Sequence, residues 1–171
     1  MNSYNNLRKE IRILVLGLDM SGKSQLVHYL VGSYNNGGPT IGVKVKGIEY
    51  HDINLMIIDF GGLTVYRYFW KDYYECASAI IFMINSSDKE RIGEAKECFQ
   101  ELLKDKNLIN VPILAFGNFS DIENCLCPDE IIEKLEMNNI RGREWALYSC
   151  STWKGTGIKE GIKWLFEKLS E

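Results

Sequence analysis

The chain has 171 residues, 46% of them hydrophobic and 25% charged, with a net charge of −3. That is enough for one domain with a real core, and it carries no basic field to attract nucleic acid. No apolar run approaches the roughly 18 residues that a bilayer span needs. The predicted elements then run in order along the chain. Residues 1–8 read as a short, flexible, Asn-rich extension. The stretch MNSYNNLRKE lacks the apolar core of a signal peptide, and with Asn2 in place of Gly it is not a myristoylation substrate as written. Residues 9–171 read as a single domain. Short apolar runs predict strands over 11–16, 43–50, 55–59, 79–84, 111–116 and 145–150. Helices are predicted over 23–31, 88–104, 128–135 and 158–169. Pro128 followed by Asp129 and Glu130 is a good helix start, with proline in the first turn and acids on the positive dipole end. In the last helix Ile158, Ile162, Leu165, Phe166 and Leu169 recur at helical spacing and should face a sheet. Most strands are continuously apolar, as strands buried on both faces are. Alternating β and α elements of this kind imply an α/β fold with a mostly parallel six-stranded sheet and helices on both faces. His51-Asp52 reads as a tight hairpin, which makes one edge strand antiparallel.

The first strand runs into Gly17-Leu18-Asp19-Met20-Ser21-Gly22-Lys23-Ser24. This fits G-x-x-x-x-G-K-[ST] in the required context, strand before and helix after. Glycines let the backbone turn so that N–H groups point at phosphate oxygens. Lys23 would reach the β- and γ-phosphates and the Ser24 hydroxyl would ligate Mg²⁺. The helix N-terminus adds partial positive charge. The motif therefore points to a nucleoside triphosphate or diphosphate with Mg²⁺. The five cysteines, Cys76, Cys98, Cys125, Cys127 and Cys150, are scattered and odd in number. They read as reduced thiols of a cytoplasmic protein, and Cys125-Leu-Cys127 has the wrong spacing for a zinc knuckle.

Five motifs in order resemble the Arf/Arl family of small Ras-like GTPases. They are GLDMSGKS, Pro39-Thr40-Ile41-Gly42, Asp59-Phe60-Gly61-Gly62, Asn118-Phe119-Ser120-Asp121 and Cys150-Ser151-Thr152. The resemblance covers residues 8–169 and implies a P-loop GTPase fold that binds GTP or GDP. It implies that Asp19, Met20, Ser21, Gly22, Lys23 and Ser24 hold the phosphates. Thr40 would give its hydroxyl to Mg²⁺ and its N–H to the γ-phosphate. Asp59 would hold Mg²⁺ through water, and the Gly62 N–H would sense the γ-phosphate. Asp121 would accept from guanine N1–H and N2–H₂ with both carboxylate oxygens, a pairing that adenine cannot offer. Asn118 would brace the loop and approach N7. Phe119, Cys150 and Thr152 would complete the base site, and the Ser151 N–H would donate to O6.

The sequence departs from the family in three places. Leu63 stands where the family has the Gln that orients the attacking water. Leucine has no donor or acceptor, and loss of such a group costs on the order of 10²–10⁴ in rate. Slow intrinsic hydrolysis is therefore expected, unless a partner supplies the contact in trans. Phe119 replaces the Lys of N-K-x-D. It could stack on guanine but lacks the polar tip. Residues 1–10 present no apolar face fit for stable membrane anchoring, unlike the amphipathic N-terminal helix of the family.

Switch II, residues 63–74, is dense in aromatics, the residue types that carry interface energy. The family's effector patch maps to Val43, Ile58 and Tyr73, of which only Tyr73 keeps the aromatic. Trp70 is expected to pack underneath. The leading expectation is a monomeric, cytoplasmic, GTP-dependent switch in vesicle or protein trafficking. It would recruit effectors through switch I, the interswitch and switch II, would have an exchange factor and a GTPase-activating protein, and could be brought to membranes by partners. The alternative is a GTP-locked or nucleotide-weak scaffold that acts only by protein binding. A small-molecule kinase is disfavoured, because the segment from 88 to 108 holds no Arg-rich lid and its charges read as a solvated helix face.

Overall fold

The structure is a computed structural model describing residues 9–33, 38–50 and 53–170. Six strands form one sheet: β1 (Lys9–Gly17), β2 (Val43–Tyr50), β3 (Ile53–Phe60), β4 (Ala79–Asn85), β5 (Ile113–Asn118) and β6 (Trp145–Ser149). Their order across the sheet is β2-β3-β1-β4-β5-β6, and only the β2–β3 pair is antiparallel. The α/β class, the mostly parallel sheet and its antiparallel edge are as the sequence predicts. The expected hairpin at 51–52 and the extension at 1–8 lie outside the described residues. Tyr50 is in register with Ile53 at the end of the β2–β3 ladder.

The continuous apolar runs are explained by the two faces of the sheet. In β4, Ile80, Phe82 and Ile84 join one core cluster while Ala79, Ile81 and Met83 join the other. The first cluster is covered by α3 (Ile92–Leu103), α4 (Pro128–Lys134) and the turns after β3, through Phe99, Leu102, Ile131, Trp70 and Tyr74. The second is covered by α1 (Lys23–Val31) and α5 (Ile158–Ser170), through Leu26, Val27, Ile158 and Leu165. Phe82 and Phe99 meet with ring centroids 5.0 Å apart. Trp70 is buried, as expected, and its indole N–H has no partner.

Some boundaries differ from the expected ones, each with a local cause. The third helix starts at Ile92 instead of 88, because Asp88 accepts from the Arg91 N–H and holds that segment in a turn. β5 starts at Ile113, after Pro112, which has no N–H to give to a ladder. The segment after Leu63 forms a four-residue helix, α2 (Thr64–Arg67), and a 3-10 run over Tyr68–Cys76. Irregular turns of this kind leave no 3.6- or 2-residue period to read.

Because the five other strands run parallel, their C-terminal ends share one rim. The loops after β1, β3, β5 and β6 gather there, at the edge where open α/β sheets bind ligands. Phe99 has no exposure, so Phe99→Ala should lower unfolding stability by about 3–5 kcal/mol. Urea denaturation measures this; an unchanged midpoint would contradict the assigned packing of α3 on the sheet.

Candidate nucleotide site

The loop after β1 is built as the motif requires. Gly17 (φ 135°) and Gly22 (φ 92°) sit in left-handed regions, and a side chain on Gly17 would strike the Met83 carbonyl. Lys23 is buried and donates to the carbonyls of Leu18 (2.6 Å) and Gly17 (3.0 Å). Burial pushes its ammonium pKa down to about 8, with Asp59 and Asp19 pulling the other way. A buried cation only partly compensated is suited to an anion. Ser21 bonds back to Leu18, and Met20, exposed at φ 61°, gives its carbonyl to the Asn85 amide.

The three residues expected at a metal converge, although they come from α1, the segment before β2 and β3. Ser24 Oγ lies 2.7 Å from Thr40 Oγ1 and donates to Asp59 Oδ2 at 2.6 Å, and Thr40 Oγ1 donates to the same oxygen at 3.2 Å. Asp59 is buried, which raises its carboxyl pKa, and its Oδ1 has no partner. Two hydroxyls and one carboxylate with an unmatched buried oxygen fit a small hard cation that keeps waters and shares phosphate oxygens. Among the described residues no cluster of three His, Cys, Asp or Glu side chains exists to hold a metal instead.

Gly62 lies directly on the P-loop. A side chain there would strike the Asp19 N–H, the Leu18 carbonyl carbon and Lys23 Nζ. Leu63 follows, 41% exposed, at the start of α2.

At the other end of the rim Asn118 is fully buried. Its Nδ2 donates to the Ser21 carbonyl (3.0 Å) and Thr152 Oγ1 (3.1 Å), and its Oδ1 accepts from the Thr152 N–H (3.0 Å). It ties the loops together with both ends of its amide engaged. Cys150 is buried against Asn118 Oδ1, and burial pushes its thiol up to about 12. The Ser151 N–H goes to the Thr156 carbonyl at 3.1 Å, so a guanine O6 would have to share this donor. Asp121 is held below the usual carboxylate range, chiefly by a hydrogen bond with the Ser151 side chain. Its Oδ1 is buried without a partner, and Lys154 Nζ stands 3.9 Å from its Oδ2. Phe119 is half-buried, in a left-handed conformation (φ 66°), and joins neither core cluster.

Two things differ from expectation on the partner surface. Ile58 is 3% exposed, since its strand face points into the first core cluster, so it cannot be read by a partner. Val43 and Tyr73 are partly buried, with Tyr73 edge-on to Phe60 at 5.0 Å. The exposed apolar surface is instead made by Ile41, Val45, Val65, Tyr68 and Phe69.

Sequence reasoning also missed a charge network around Asp19. Arg91 bonds both Asp19 oxygens (2.8 and 3.2 Å) and Glu94 (2.8 Å). Arg67 of α2 donates to the Gly62 carbonyl (2.8 Å) and to Glu94 (2.7 Å). The pairs span up to 72 residues, and no local pattern signals them.

Comparison with known proteins adds the decisive observation: the model of the ADP-ribosylation factor family matches residues 1–169. The chain belongs to the ADP-ribosylation factor family. It is 39% identical over 164 residues to ADP-ribosylation factor J of Dictyostelium discoideum, covering 95% of this chain and 87% of that one. It is 37% identical over 161 residues to ADP-ribosylation factor-like protein 3 of Chlamydomonas reinhardtii, covering 94% and 91%. Among solved structures, that of the Arl6 BBS3 small GTPase from Trypanosoma brucei, with the bound nucleotide analogue GppNp, is similar. Its TM-score is 0.88 at 28% identity, covering 95% of this chain and 98% of that one. The protein is thus a GTP-binding small GTPase of the Arf/Arl type, a nucleotide-binding switch.

The Asp19 network sets a pH signature. Arg91 holds the carboxyls of Asp19 and Glu94 below their usual range, first through its hydrogen bonds. A carboxyl with a depressed folded pKa stabilises fully above its unfolded value and loses that contribution as pH falls through the folded one. Arg91→Met should therefore lower stability at pH 7 by about 1 kcal/mol, a value discounted for partial exposure. The gap to the wild type should shrink below about pH 4. Urea melts at pH 7 and pH 3 check this; a pH-independent gap would contradict it.

Proposed function

We propose that the chain is a single GTP-binding domain that takes guanine nucleotide with Mg²⁺ at this rim and hydrolyses GTP very slowly. The convergence of Ser24, Thr40 and Asp59 beside buried Lys23 carries the reading, because it brings α1, the segment before β2 and the end of β3 to one point. The loop N–H groups from Asp19 to Ser24 and the Lys23 ammonium bind the phosphates. Ser24 and Thr40 would hold Mg²⁺, with Asp59 as an outer partner, and the ion would supply positive charge against the phosphate oxygens. Thr40 and Gly62 give switch I and switch II their sensitivity to the terminal phosphate. Asp121, ionised and with an unmatched buried oxygen, reads the guanine N1–H and N2–H₂ edge, while Asn118 and Thr152 fix the loop that carries it.

Leu63 sits one residue past the P-loop contact, where a water would have to be oriented, and offers no polar atom. The GTP state then persists, and effectors meet the exposed Ile41, Val45, Val65, Tyr68 and Phe69 surface. An exchange factor and a GTPase-activating protein remain natural partners, the second supplying the missing water contact in trans. No helix among the described residues is long and apolar enough to cross a membrane.

The test is single-turnover hydrolysis of Mg²⁺·GTP by the wild type and Leu63→Gln. Leu63→Gln should hydrolyse faster by on the order of 10²–10⁴. Equal rates would contradict the role given to Leu63. Failure of the wild type to bind GTP or GDP would favour the pure scaffold.

A further inference from the structure

We propose that a cleft on the rim opposite the P-loop, built around Arg143 and Arg141, binds the carboxylate of a small organic acid. The cleft is separate from the nucleotide rim and does not depend on what that rim holds.

Arg143 lies just before β6, at the N-terminal end of the strands, where α3 comes to its end. Its Nη2 donates to the Leu103 carbonyl at 3.2 Å, one of the carbonyls that a helix end leaves without a partner in the helix. Its Nη1 is buried and has no partner. Arg12, Arg67 and Arg91 each hold a carboxylate. Arg143 holds none among the described residues. Burial lowers its pKa, and no acid of the described chain offsets that. A partly buried cation without a counter-ion costs free energy until an acceptor meets it. Buried polar groups left unmatched by the chain are in general met by a water or a ligand.

The acceptor has room. The cleft measures about 210 Å³ and is walled by Gln100 and Leu103 of α3, by Glu136 and Ile140 on either side of the 3-10 turn Met137–Asn139, and by Arg141 and Arg143. A single water takes only about 30 Å³, so the space suits a small molecule. Arg141 gives Nη1 to the Asn138 (2.6 Å) and Ile140 (2.9 Å) carbonyls, which fixes its guanidinium at the cleft and keeps Nη2 for a ligand. Glu136, the acid among the lining residues, is held by Lys96 at 2.6 Å. Two guanidinium groups against one paired acid give the cleft a positive balance, although the chain as a whole carries −3. The planar fork of a guanidinium matches a carboxylate. Glu136 repels a dianion more than a monoanion, which favours a carboxylate over phosphate. Leu103 and Ile140, both half-buried, offer an apolar wall to a short carbon chain.

The test titrates the ¹⁵N-labelled full chain with butyrate and, separately, with inorganic phosphate, following backbone amides and arginine Nε–H signals by NMR. Butyrate should give saturable shifts at Arg143 Nε–H and at the amides of Leu103, Ile140 and Arg141, with a Kd on the order of 1 mM, which a ligand of this size can sustain. Arg143→Met should weaken butyrate by roughly 10- to 100-fold, the worth of a charge-assisted hydrogen bond. Arg141→Gln, at an exposed position, should weaken it by roughly 2- to 5-fold. Glu136→Gln should tighten it. The last two variants change exposed side chains and keep the test valid if Arg143→Met fails to fold. No saturable shift in the cleft would overturn the proposal. Shifts confined to the P-loop at Gly22 and Lys23 would overturn it too, since the anion would then be reading the phosphate loop. Tighter binding of phosphate than of butyrate in the cleft would refute the carboxylate assignment.

Discussion

The buried side chain of Asn118 is the constraint on which the rest of the rim depends. It stands at the end of β5 with no exposure, and its two amide atoms bond the P-loop at Ser21 and the loop after β6 at Thr152. Leaving either end unpaired in that interior would cost about 1–3 kcal/mol. The three loops therefore hold one relative arrangement. Gly22 is part of the same bargain with space, since a side chain there would strike the Asn118 amide. The proposed phosphate and base sites are in this way two ends of a single hydrogen-bonded unit rather than independent pockets.

A second theme is charge kept in the interior. Lys23 and Asp59 are both buried, and each is driven by burial toward its neutral form. Folding alone would favour replacing them with apolar groups. Their retention makes sense where a polyanion and a cation meet them, because ligand charge restores what desolvation removes. The Arg67, Arg91, Asp19 and Glu94 network works differently. It lies nearer the surface and ties α2 and α3 to the P-loop by charge-assisted bonds that involve no ligand. Switch II is thus anchored from one side by this network and from the other by the contact of Gly62 with the P-loop.

Much of this was legible in the residues. The continuous apolar runs told of strands covered on both faces, and Pro128 marked the start of α4. The P-loop could be read because its chemistry demands glycines, a lysine and a hydroxyl at fixed spacing in one short segment. Leu63 and Phe119 stood out only against the family pattern, not by their own chemistry. Tertiary choices were less visible. Ile58 was expected at the surface, yet strand alternation puts it in the core beside Phe60. The Arg91–Asp19 pair joins residues 72 apart, and a charged segment read as solvated proved to be half of a clasp.

On the proposed function, this rim holds guanine nucleotide and does not turn it over readily. The most direct measurement is to release the nucleotide from freshly purified protein and identify it by ion-exchange chromatography. The released nucleotide should be guanine nucleotide, predominantly GTP. Predominantly GDP would mean that hydrolysis proceeds despite Leu63, and would contradict that reading.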